Sequence, residues 1–111
     1  MSAFETGVYR NLLAEYGYPQ SETDAKMKSC FETFFYGSED ERIYHEDGSD
    51  MAYVVDTGNI DVRTEGMSYA MMMCVQAGMK AEFDKLWLWT KTYMWHKPDA
   101  DDVFSGYFAW S

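Results

Sequence analysis

The stretch MSYAMMMCVQA, residues 67–77, is apolar at every position except Ser68 and Gln76. A helix with no continuous polar stripe is a core helix, and a core helix needs neighbours on every side. Whatever this chain folds into must therefore supply enough other elements to wrap that one. Immediately before it the sequence changes character: Asp56, Asp61, Arg63 and Glu65 crowd together in DTGNIDVRTEG. The spacing predicts a helix from Thr64 or Glu65 to about Gln76, which puts a carboxylate in the first turn of a segment built for burial.

The remaining elements are also mostly helical. Val8, Leu12 and Tyr16 recur at four-residue spacing, with Tyr9 and Leu13 beside them, and predict an amphipathic helix ending at Gly17. A second helix follows a short turn containing Pro19. Ser21 with Asp24 reads as a capping box, Met27, Cys30, Phe31, Phe34 and Phe35 form the apolar side, and Gly37 closes it. Residues 38–50 are acidic and turn-prone. RIYH before EDGSD and MAYVV after it read as a short β-hairpin or as an ordered loop. A fourth helix, KAEFDKLWLWTKTYMWH, carries a stripe of Phe83, Leu86, Trp87, Thr90 and Met94, with Trp89 and Tyr93 on a different face. Pro98 and DADD mark a loop before FSGYFAWS. The class is all-α and the chain suits one domain. Yet each large aromatic left in water forgoes about 1.5–3 kcal/mol of burial, and four helices offer more apolar face than they can cover. The set reads as incomplete.

Charge narrows the partners. The formal net charge is −10 with no offsetting basic stripe, which excludes nucleic-acid phosphates and anionic lipid, while a neutral glycan is compatible. No charged-then-apolar leader opens the chain and no apolar run approaches the roughly 18–20 residues of a membrane span. That reads as cytoplasmic, although a secreted mature form would read the same way. Cys30 and Cys74 both fall in apolar helical patterns and read as two buried free thiols.

No cofactor or metal is expected. His45 precedes Glu46 and Asp47 but has no second histidine at helical spacing. Counted from Asp56 as a calcium loop, the third and fifth positions are Gly58 and Ile60, and Met67 stands where a bidentate Glu is required. A phosphate-binding Gly-rich loop is missing, and EGMSY is not a nucleophile elbow.

Glu65 is left as the candidate, and the residues alone support two readings of it. It is either a helix-terminal acid that caps free N–H groups and pairs with Arg63, or a general acid. The helix dipole and Arg63 lower its pKa; desolvation beside an apolar helix, with Asp56 and Asp61 as like charges, raises it. A carboxyl kept partly protonated near neutrality can donate to a leaving group. Tyr53, Tyr69, Trp89 and Trp110 offer flat faces for sugar rings, or are ordinary core.

The strings DMAYVVDTGNIDVRTEGMSYAMMM, EFDKLWLWTKTYM and GYFAW, with GVYRNLLAEYGY and FFYG upstream, resemble the amino-terminal part of glycoside hydrolase family 8. Within that family they most resemble the reducing-end xylose-releasing exo-oligoxylanases. The most specific element is R-[ST]-E-G followed by a tyrosine and an apolar helix. The resemblance implies an (α/α)6 barrel of alternating inner and outer helices, of which residues 1–111 form roughly the first third. It implies that Glu65 is the general acid and that Arg63 lies near the sugar at the cleavage point. Trp110 falls in a segment lining the glycone side, and Tyr69, just after the motif, joins the substrate-binding residues. Action on β-1,4-xylo-oligosaccharides with inversion follows, a reaction that needs acid and base carboxyls about 6.5–9.5 Å apart. The family's base and an Asp-containing sugar-site segment lie beyond Ser111, so the chain carries the acid without the base and is expected to be inactive by itself. Ala70 stands where relatives often have Gly. The alternatives are an endo-acting xylanase, cellulase or chitosanase of the same family, or a non-catalytic helical interaction module.

Overall fold

The structure, a computed structural model, describes residues 6–111. Its elements are α1 (Leu12–Glu15), α2 (Gln20–Tyr36), β1 (Tyr44–Asp47), β2 (Met51–Val54), α3 (Thr64–Ala77) and α4 (Lys80–Tyr93). The class is therefore mostly helical with one antiparallel two-stranded sheet.

The first helix is much shorter than the periodicity predicts, and the part of that prediction on residues 1–5 lies outside the described residues. Asn11 accepts the Ala14 N–H at 3.1 Å through its side chain, which fixes the helix start at Leu12. Val8 and Tyr9 precede that cap and stay exposed, so an apolar pattern alone did not make helix there. The expected Ser21 capping box is also absent. Pro19 takes the N-cap position with no side-chain bond, which places Ser21 inside α2, and Asp24 instead accepts from Gln20 at 2.6 Å. Proline suits this place because its fixed φ leads into a helix. Gly37 does close α2: a Cβ there would stand 2.4 Å from the Thr33 carbonyl oxygen, a contact no other residue avoids.

The acidic segment resolves into the hairpin. Its register pairs Tyr44 with Val54, His45 with Tyr53, Glu46 with Ala52 and Asp47 with Met51. Alternation then sorts the side chains: Tyr44, Ala52 and Val54 enter the core, while His45 and Tyr53 are half-buried on the other face. Trp89 of α4 packs on Tyr53 with ring centroids 5.5 Å apart and donates its indole N–H to Asp47 at 3.1 Å. Lys85 of α4 pairs with Glu46. The hairpin is thus clamped to α4 along both of its faces.

One core joins these elements. Phe31 and Phe35 of α2 stack at 4.0 Å, and Phe35 stacks on Tyr44 at 4.9 Å. Met67, Ala70 and Cys74 of α3 and Leu86, Thr90 and Met94 on the α4 stripe complete it. Of that stripe, Phe83 is half-buried and Trp87 exposed. Cys74 is a buried free thiol as expected, with burial pushing its pKa up to about 11. Cys30 is only half-buried, because it faces an apolar groove between α2 and α3 and not the core.

Among the described residues α3 is covered on one side only. Tyr69, Met72 and Val75 are 69%, 59% and 61% exposed. The expectation of neighbours on every side is not met by this chain's own elements, as the surplus of apolar face anticipated. The radius of gyration, 17.1 Å, exceeds the roughly 13 Å of a compact domain of this length, which describes an open slab.

Candidate active site

The charged loop before α3 is a built turn. Asp56 Oδ1 accepts the backbone N–H groups of Gly58 and Asn59, both at 2.9 Å, and the Asn59 side chain at 3.3 Å. The Asp56 N–H donates to the Asp61 carbonyl at 2.8 Å, closing the loop as a single β-bridge. Ile60 within it has φ +57°, a left-handed conformation that costs a β-branched residue strain. These hydrogen bonds, most of them accepted by the Asp56 side chain, hold the loop.

Arg63 leaves this loop in extended conformation and serves as the N-cap residue of α3. Its guanidinium does not pair with Glu65, as the helix-cap reading of that residue supposed. It forks onto Asp61, Nε to Oδ1 at 2.9 Å and a second nitrogen to Oδ2 at 3.2 Å, with Asp56 at 3.6 Å. Asp61 is the closer partner because two residues of extended chain set the two side chains on one face. The loop's carboxylates therefore hold Arg63, and neither of them is among the influences on the Glu65 carboxyl.

Glu65 finds its partner 45 residues away. The Trp110 indole N–H donates to Glu65 Oε1 at 2.9 Å. The backbone brings Trp110 there: Ala109 N–H bonds the Met94 carbonyl at 2.7 Å, His96 and Tyr107 are joined at 2.9 Å, and Thr64 N–H donates to the Trp110 carbonyl at 3.0 Å. The intervening loop is held by a half-buried His96–Asp102 pair at 2.9 Å. Arg63 Cζ then lies 4.5 Å from the centre of the Trp110 ring. So Asp61, Arg63, Trp110 and Glu65 form one contiguous row, carboxylate to guanidinium to indole to carboxylate.

Of the opposed influences on the Glu65 pKa, the lowering ones prevail. Its own backbone N–H, then the Trp110 indole, hold the carboxyl below the usual range, with Arg63 helping; desolvation works against them but less strongly. The reason is exposure: Glu65 is on the surface of the slab, where dipole and hydrogen bonds outweigh burial. Tyr69, one turn further along α3, is exposed, and among the described residues no side-chain hydrogen bond or ring contact joins it to Glu65, Arg63 or Trp110. Nor does Glu65 line either of two sizeable cavities. One, about 500 Å³, lies among Tyr36, Arg42, His45 and Lys85, and the other, about 720 Å³, among Met27, Phe31, Met72 and Met79. Sequence reasoning missed the role of Asp61, for which the D-x-R spacing was the available signal.

Among the described residues no three of His, Cys, Asp and Glu gather as metal ligands, and no helix is long and apolar enough to cross a membrane.

Residues 19–111 match the family model for glycosyl hydrolases family 8. The chain belongs to that family. It is 48% identical over 109 residues to the reducing end xylose-releasing exo-oligoxylanase of Halalkalibacterium halodurans, covering 98% of this chain and 27% of that protein. It is 47% identical to the reducing-end xylose-releasing exo-oligoxylanase Rex8A of Paenibacillus barcinonensis, over 97% of this chain and 28% of that one. The solved structure of Rex8A complexed with xylose superposes with a TM-score of 0.89 at 46% identity, covering 99% of this chain and 28% of its own. A probable endoglucanase of Novacetimonas hansenii matches over only 41% of this family 8 chain, at 40% identity. The chain thus spans a little over a quarter of the length of the curated exo-oligoxylanases it matches.

Proposed function

We propose that this chain is the amino-terminal portion of an (α/α)6-barrel glycoside hydrolase that acts on β-1,4-xylo-oligosaccharides and releases xylose from the reducing end with inversion. Residues 1–111 make one incomplete domain in this reading, and the rest of the barrel covers the exposed faces of α3 and α4. The observation that carries the reading is the Glu65–Trp110 hydrogen bond at the start of α3, on a chain 48% identical to an exo-oligoxylanase over nearly its whole length. Exo action on xylan oligosaccharides is preferred to endo action because the exo-oligoxylanases align along 97–98% of this chain and the endoglucanase along 41%.

Glu65 is the general acid, delivering its proton to the leaving sugar oxygen. Arg63 and Trp110 shape the sugar site beside it, and Tyr69 offers a ring on the same helix face. In the slab the Glu65 carboxyl sits below its usual range, whereas an acid poised near neutrality needs a higher pKa. The opposite wall of the cleft, by excluding water and adding the base carboxylate, supplies both upward influences. Without that base the 111-residue chain has no means of activating water and turns over little substrate.

The test is Glu65→Gln in the full-length protein, which keeps shape and hydrogen-bonding reach but removes the proton. Loss of a general acid lowers kcat on xylotriose by about 10²–10⁴-fold, and a xylobiosyl fluoride, whose leaving group needs less protonation, loses far less. Equal losses on both substrates, or none, would return Glu65 to the role of a helix cap.

A further inference from the structure

The row of contacts ending at Glu65 begins at Asp61, whose side chain makes no hydrogen bond to Glu65 or Trp110. Among the described residues all the hydrogen bonds of the Asp61 side chain go to Arg63, at 2.9, 3.2 and 3.2 Å. A bidentate carboxylate fixes the plane of a guanidinium as well as its position. Here that plane matters, because Arg63 Cζ lies 4.5 Å from the centre of the Trp110 ring. The indole is 57% exposed, so a fixed guanidinium does much to set its tilt. Its tilt in turn aims the Nε1–H that reaches Glu65 Oε1 at 2.9 Å.

Asp56 offers a comparison inside the same loop. It too carries a negative charge near Arg63, at 3.6 Å, but its Oδ1 is already engaged by Gly58 and Asn59. It holds the loop's shape, while Asp61 holds the arginine. The two carboxylates contribute similar charge and different geometry, which allows position to be separated from electrostatics.

We propose that Asp61 is a positioning residue for the general acid, acting through Arg63 and Trp110 to fix the direction of the Glu65 carboxyl. This rests on the reading of Glu65 as the acid. The acid's carboxyl must point at the glycosidic oxygen when the bond breaks, and a misplacement of about 1 Å can cost on the order of 100-fold in rate. Asp61→Asn keeps the side chain's size and one acceptor oxygen but gives up the ionic fork, leaving Arg63 free to turn toward Asp56.

The experiment uses the full-length protein and compares Asp61→Asn, Asp56→Asn, Trp110→Phe and the Asp61→Asn/Trp110→Phe double variant on xylotriose and on xylobiosyl fluoride. Asp61→Asn is expected to lower kcat on xylotriose by about 10- to 100-fold and on the fluoride by much less. Asp56→Asn, which preserves the turn through the asparagine oxygen, is expected to cost less than about 3-fold on either, since its contact with Arg63 is a longer, unforked 3.6 Å pair and the Asp61 fork remains. Residues acting in series are not additive, so the double variant is expected to lose no more than the worse single variant. Equal losses on the two substrates, equal effects of Asp61→Asn and Asp56→Asn, or multiplicative losses in the double variant would each overturn the proposal. Should Asp61→Asn not fold, Trp110→Phe with Arg63→Lys carries the same test, because lysine keeps the charge but not the planar fork. Glu65→Gln in parallel tells the two failures apart. If it gives the leaving-group signature and Asp61→Asn does not, only the positioning role falls; if Glu65→Gln gives none, the acid assignment falls with it.

Discussion

Met67→Leu tests whether the helix carrying Glu65 is tied to the hairpin by a hydrogen bond or by packing alone. Met67 is 0% exposed, and its sulfur accepts the Val54 N–H at 3.3 Å. That N–H has no acceptor within the sheet. Val55 N–H donates to the Ile43 carbonyl at 3.0 Å, and antiparallel bonding alternates along the strand, so the N–H of Val54 points away from β1 toward α3. Leucine fills nearly the same volume, and such a swap by itself costs under about 1.5 kcal/mol. It also leaves a buried N–H unsatisfied, which costs about 1–3 kcal/mol, with the lower part of that range fitting a weak sulfur acceptor. Met71→Leu is the control, a half-buried methionine on the same helix packed against the same core. In urea unfolding followed by far-UV circular dichroism, Met67→Leu should cost about 1–2 kcal/mol more than Met71→Leu. Amide exchange at Val54 should accelerate in the first variant alone. Equal destabilisation by the two variants with unchanged exchange at Val54 would refute the reasoning, and the sulfur would be core filling only.

Ile60 is 84% exposed and sits at φ +57°, where an L-residue pays about 1–2 kcal/mol. Asn tolerates this conformation, so Ile60→Asn should raise stability by about 1 kcal/mol, read as a higher Tm; no gain would show that the loop is not strained there. Burial, with Glu46, Glu82 and Cys74 nearby, pushes the Tyr44 hydroxyl up to about 12 from its ordinary 10. Because the folded state favours the neutral form, this contribution is complete below pH 10 and is lost as pH rises through 12. Tyr44→Phe keeps the stacking on Phe35 and should move the alkaline unfolding midpoint upward. An unmoved midpoint would mean that Tyr44 does not titrate in that transition.

The sequence by itself determined the elements that rest on local chemistry. The apolar run 67–77 and the Thr64 start specified α3, and Gly37 specified the end of α2, because burial and backbone clash act within a few residues. The R-T-E-G motif located Glu65 and assigned the family. The excess of apolar surface was legible too, and the exposed Tyr69, Met72 and Val75 bear it out. Two local expectations failed for local reasons: the Asn11 cap cut the first helix to one turn, and Pro19 displaced Ser21 from the N-cap. What only the tertiary structure decided were the partners of charges. Arg63 had Asp56, Asp61 and Glu65 all within reach in sequence, and extended backbone geometry chose Asp61. Glu65 received its hydrogen bond from a tryptophan 45 residues away, delivered by backbone bonds between residues 94–96 and 106–109 and between Thr64 and Trp110. A pKa depends on such partners and on exposure, neither of which is a property of spacing. The motif could therefore single out Glu65, but the direction of its pKa shift in this chain belonged to the fold.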